Sequence, residues 1–178
     1  ALERAIGAIA GHAVTVVAAG RTDAGVHAAS QIVHFDTDAM RPDSAWVRGV
    51  NTHLPDAAAV LWAHAVGPDF HARFAATARH YTYVLLNRAE RPGLCAGRVG
   101  WYHRPLDVDA MRAGAAHLPG TRDFTTFRAA ECQAKSPVKT LAPIRITAAA
   151  PFVRFDFSAN AFLHHMVRNV VGALVHVG

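Results

Sequence analysis

The stretch "VKTLAPIRITAAAPFVRFDFS", residues 138 to 158, decides the fold. Its last part alternates: Phe152, Arg154 and Asp156 oppose Val153, Phe155 and Phe157. That two-residue period marks a strand with one face on a core. Val138 to Ala149 is a second strand candidate, and Pro151 separates the two. Two strands joined by so short a break pair antiparallel.

The same logic extends outward. Arg79 to Leu86 is a strand with Tyr81, Tyr83 and Leu85 on one face. Ala13 to Ala19, Ser30 to Asp36 and Ala58 to Val66 are further strand candidates. Helices are expected over residues 1 to 11, with Leu2, Ile6 and Ile9 at helical spacing and Gly11 as the stop. A second is expected from an Asp43 cap to Asn51. A third follows Asp107, with Val108, Met111, Ala115 and Leu118 on one face. The last is expected from Ala161 to Val177. Strands next to strands give an α+β class with mostly antiparallel sheets rather than a doubly wound parallel sheet. The segment from Asn87 to about residue 105, with Arg88, Arg91 and Arg98, reads as a basic connection. It divides the chain into halves at 1–90 and 91–178, and a cleft between such halves is a common place for a site.

Composition bounds the function. Of 178 residues, 52% are hydrophobic, enough for a core, yet no run is long and apolar enough for a membrane span. No secretory signal opens the chain, which favours a cytoplasmic protein. The two cysteines, Cys95 and Cys132, read as reduced thiols with no metal role. The twelve histidines show no metal-ligand spacing, and no glycine-rich nucleotide motif occurs, so neither metal nor organic cofactor is expected. Net charge is +5, and sixteen of the eighteen basic residues are Arg. A basic, Arg-rich surface is the footprint of nucleic-acid binding, or else compositional drift in a chain rich in Ala, Val and Gly.

The densest chemistry is "AAGRTDAGVHAASQIVHF", residues 18 to 35. Asp23 in Gly20-Arg-Thr-Asp-Ala-Gly25 is either a turn residue bonding its own backbone or a carboxylate placed for nucleophilic or base chemistry. Arg168 lies on the less apolar side of the last helix, aligned with His164 and Gly172. It is paired with an acid, structurally with Asp156 or Asp123, solvated, or set against a catalytic carboxylate that it keeps charged. Tyr81 is either a core aromatic or a ring for an extruded base.

Three collinear stretches then fit together: "AGRTDAGVHA" (19–28), "FHARFAATARHYTYVL" (70–85) and "NAFLHHMVRNVVGAL" (160–174). With "GVNTHLP" and "DFTTFRA" between them, they resemble the TruA-type tRNA pseudouridine synthases over essentially the whole chain. The resemblance implies conversion of uridine to pseudouridine in the anticodon stem-loop region of tRNA. It implies two α/β halves flanking a basic central cleft, a cytoplasmic homodimer, and no metal or organic cofactor. It places Asp23 on the catalytic aspartate, Tyr81 on the active-site tyrosine and Arg168 on the arginine paired with that aspartate. Arg21, Arg79 and His164 fall among substrate-binding positions. By the same resemblance the chain lacks a strand before its first helix and further structure after Gly178, as if truncated at both ends. The alternative is a non-catalytic RNA-binding fragment of such an enzyme. Attack at the ribose and attack at the base both fit these residues.

Overall fold

Helix α1, Leu2–Ala10, forms as the apolar spacing dictates. Ala5, Ile6 and Ala10 are buried, and Gly11 ends the helix in the left-handed region at φ 81°. The Glu3 carboxylate accepts a hydrogen bond from the Val16 N–H at 3.0 Å, tying the returning chain to the helix. The computed structural model describes residues 1–178 and contains two units, Ala1–Ala76 and Thr77–Gly178.

In the first unit a small core gathers Ala5, Ile6 and Val50, with Ile9, Val14, Val16, Phe35, Trp46 and Val60 packed around them. Strand β1, Val17–Ala18, pairs antiparallel with β2, Val33–His34. The helical turn after Asp43 contains a π-helical segment, Ala45–Gly49. Asp43 does not cap it: the Ala45 and Trp46 N–H groups donate to the Pro42 carbonyl, and the Asp43 carboxylate lies 3.9 Å from His64. A side chain at Gly49 would crowd α1, since a Cβ there would lie 2.7 Å from Ile9 Cδ1.

The strand expected over 58 to 66 is absent. Val60, partly buried against the first core, exchanges both backbone hydrogen bonds with the Asn51 side-chain amide, at 2.7 and 2.8 Å. That amide occupies the place a neighbouring strand would take.

The second unit is a six-stranded sheet in the order β4-β3-β8-β6-β5, with β7 also on β8. These are β3 (Arg79–Asn87), β4 (Gly100–Tyr102), β5 (Gly120–Asp123), β6 (Val138–Leu141), β7 (Arg145–Ala149) and β8 (Phe152–Ala159). All pairings are antiparallel except β3 with β4. The 138–149 run forms two strands, with β7 and β8 joined through Ala150–Pro151, a cis peptide. Residues along β8 alternate as the sequence implies: Val153, Phe155, Phe157 and Ala159 are buried.

Helices α2, Val108–Ala115, and α3, Met166–Val177, contribute Met111, Ala115, Met166, Val170 and Leu174 to the same core. The helices touch at Gly114, where a Cβ would lie 3.4 Å from Val177. Asp107 caps α2, accepting from the N–H groups of Asp109 and Ala110. Burying Phe155 completely stabilises the fold by about 2–3 kcal/mol through area alone.

The border between units therefore falls at residues 76 and 77, not near 90. Strand β3 pairs with β8 along eight residues, from Arg79 with Ala159 to Leu86 with Phe152. The basic connection also contributes β4 to that sheet, so residues 79 to 102 belong with the second unit.

Candidate functional site

Asp23 sits on the loop between β1 and β2. The Ala19 N–H donates to the Ile32 carbonyl at 2.9 Å, and the Gln31 side-chain amide donates to the Gly20 carbonyl, closing the base of the loop. Within it the Val26 N–H donates to the Asp23 carbonyl at 3.0 Å, and Gly25 supplies the positive φ, 79°, that the turn requires. The turn thus uses the Asp23 main chain, and its half-buried side chain projects from a small-residue bend. Asp23 is the only carboxylate between Gly20 and Gln31, and Arg21, two residues away, is exposed.

Strand β2 is braced by the "FHARF" segment of the same unit. His34 Nδ1 accepts from the Ala72 N–H at 3.1 Å, and the His34 ring meets Phe70 and His71 edge-on. His71 in turn stacks on Phe74 at 4.2 Å. This packing fixes the strand from which the Asp23 loop returns.

In the second unit the remaining candidates gather where β3 starts, β8 ends and α3 begins. The half-buried Tyr81 pairs with Phe157, and its ring meets Phe162 edge-to-face at 5.0 Å. Arg79 Nη1 donates to the Asn160 carbonyl at 2.8 Å, holding the chain as it leaves β8. Arg168 is exposed in the first turn of α3.

The helix starts at Met166, later than its apolar period implies. His165 precedes it in the left-handed region, at φ 59°. A non-glycine residue there costs about 1–2 kcal/mol, so its neighbours must hold it. His164 therefore does not share a helical stripe with Arg168. Its ring stacks on His165 instead, at 3.9 Å and 30°.

Two acids considered as structural partners of Arg168 have other engagements. Asp156 accepts from Thr82 Oγ1 at 2.6 Å and from Arg154 Nη2 at 2.8 Å. Burial pushes its carboxyl up, but Arg154 and Thr82 hydrogen bonds and the charges of Arg154 and Arg145 hold it below the usual range. Asp123 accepts from the Thr125 N–H at 2.7 Å, and Thr125 keeps that carboxyl low. No Asp or Glu occurs from Phe157 to Gly178, so the surroundings of Arg168 on its own segment are basic: Arg168, His164, His165 and the positive end of the α3 dipole. Such a pole suits an anion, whether a carboxylate or an RNA phosphate.

Three further residues, Phe162, Arg128 and Cys132, also shape this corner. Phe162 lies at the edge of the Tyr81 ring. Arg128 lies inside "DFTTFRA", and Cys132, read from the sequence as a reduced thiol with no metal role, is buried. The Cys132 Sγ accepts from the His164 N–H at 3.3 Å, and the Arg128 guanidinium donates to the Cys132 and Ala134 carbonyls at 2.5 and 3.1 Å. Burial pushes the Cys132 thiol up; the His164 and Ala134 N–H groups and the Arg128 charge outweigh it, leaving the thiol below its ordinary value.

Comparison with known proteins gives consistent matches across the chain. The family model described as tRNA pseudouridine synthase matches residues 1–75 and 115–178, which include Asp23 and Arg168. A tRNA pseudouridine synthase A of Thiobacillus denitrificans is 62% identical over 178 residues, covering 100% of this chain and 68% of the relative. The protein of the same name from Chromobacterium violaceum is 63% identical, covering 99% of this chain and 68% of the relative. That of Neisseria meningitidis serogroup B is 58% identical, covering 100% and 67%. The matched lengths run over both units. The chain belongs to the tRNA pseudouridine synthase family.

Proposed function

We infer that this protein isomerises uridine to pseudouridine in tRNA, with Asp23 as the carboxylate that carries the reaction. The observation behind that assignment is the Asp23 loop. It holds a single carboxylate on a bend that is closed at its base and flanked by small residues.

The chemistry is an internal exchange. The bond between N1 and the ribose C1′ breaks, a bond between C5 and C1′ forms, the C5 proton leaves and N1 gains one. Atoms and electrons balance with no redox partner. The target base must first leave its stack, at a cost of a few kcal/mol. Arg and aromatic contacts offset that cost.

Asp23 acts as an anion, at the ribose or at the base. Arg168 is the guanidinium assigned to it, supplying the positive charge that keeps a carboxylate ionised once water is excluded. Tyr81 offers its ring to the extruded uracil and its phenol to the proton leaving C5. Arg21, Arg79 and His164 hold the RNA around it. The sequence resemblance supports a cytoplasmic homodimer that works on the anticodon stem-loop region. None of the helices is long and apolar enough to cross a membrane.

The test is a tRNA transcript carrying tritium at C5 of its uracils. Incubation with the protein is expected to release tritium in step with pseudouridine mapped to the anticodon stem-loop. A transcript that gains no pseudouridine at any position contradicts the reading.

A further inference from the structure

We propose that the segment from Phe127 to Ala134 is a positioning device for Arg168, in which Arg128 and Cys132 set the guanidinium through the backbone of His164 and His165. The proposal rests on the role assigned above to Arg168.

Three hydrogen bonds join this segment to the start of α3. The Ala129 N–H donates to the His164 carbonyl at 3.1 Å. The His164 N–H donates to Cys132 Sγ at 3.3 Å. On the far side of the left-handed turn, Asn169 Nδ2 donates to the Phe127 carbonyl at 3.0 Å. Both backbone polar groups of His164 are thus taken by one segment, and the next residue after Arg168 is tied to the same segment. His165, the only non-glycine residue with positive φ, lies between these anchors.

Arg128 makes the segment rigid. Its guanidinium donates to two carbonyls, those of Cys132 and Ala134, closing the loop on itself. Both bonds come from Nη2 and tie this half-buried Arg to its own loop. A packing role alone explains why Cys132 is buried at 8% exposure. It does not explain why the sulfur is the acceptor for the residue that starts the turn. A shift of that turn swings the first turn of α3, and Arg168 with it, while leaving the Tyr81 strand in place.

The test measures single-turnover pseudouridine formation and tRNA affinity in the purified protein. Cys132→Ala is expected to slow the reaction about tenfold with affinity within about twofold, since small misplacements of a reacting group are expensive. Cys132→Ser, which restores an acceptor, is expected to return to within about threefold of wild type. In an Arg168→Lys background, Cys132→Ala is expected to add no further loss, because the two act through one group.

If Cys132→Ala does not fold, the exposed Asn169→Ala takes its place with the same expectations. Wild-type rates in the substituted protein overturn the proposal. So does a full loss that persists unchanged on top of Arg168→Lys, or a Ser variant no better than Ala. An Arg168→Lys protein that reacts at the wild-type rate overturns the role of Arg168 itself, and this device with it.

Discussion

Phe162 meets the Tyr81 ring edge-on, with centroids 5.0 Å apart and planes at 87°. This contact separates the two properties of Tyr81. The ring is held by Phe162 and by the β3–β8 ladder, and the phenol is a separate chemical group. Tyr81→Phe keeps the ring contact, so thermal stability should change by less than about 0.5 kcal/mol. The reaction should slow by about tenfold or more if the phenol assists proton removal, within the usual range for acid–base groups. Phe162→Ala should do the reverse first: about 2 kcal/mol of stability lost by urea titration, from lost burial and the lost ring pair.

Phe155 tests the core that supports this corner. It is fully buried on β8, paired with Tyr83 across the ladder and packed beneath both helices. Phe155→Ala should cost about 3–5 kcal/mol, and Phe155→Leu about 1–2 kcal/mol, in urea unfolding. Equal costs for the two would mean that the sheet is not packed against α2 and α3 as described.

Asp156 gives a pH signature. Its carboxyl lies below the usual range in the folded state, so its contribution is present above the unfolded value near 4 and is lost as pH falls through the folded value. Asp156→Asn should therefore destabilise by about 1 kcal/mol at pH 7, because Arg154 is well exposed and such pairs are weak. The deficit should shrink as pH drops below about 4. A deficit that stays constant from pH 7 to pH 3 would show that Thr82 and Arg154 do not read the charge on Asp156.

The elements readable from sequence are those whose signal is local. The alternation of β8, the Asp107 cap and the Gly11 stop each lie within a few residues and appear as expected. The rest depended on distant partners. Strand β5, Gly120–Asp123, is exposed throughout and carries no apolar pattern; it exists because β6 pairs with it. The 58–66 run has a strand's composition, but Asn51 satisfies both backbone groups of Val60.

The start of α3 hides a left-handed histidine that no hydrophobic period reveals. The same holds for the site. Asp23 stood out because its loop is compact in sequence. Cys132 acts on the backbone of His164, 32 residues further along the chain, and nothing in their spacing announces it.

Asp23→Asn tests the central claim most directly. The substitution keeps size and hydrogen-bonding shape while removing the charge. Pseudouridine formation measured under single-turnover conditions should fall below detection, while tRNA binding by filter retention stays within about threefold of wild type, since one carboxylate contributes little to a phosphate-dominated affinity. Pseudouridine formed by the Asn variant at more than a trace of the wild-type rate would contradict the account.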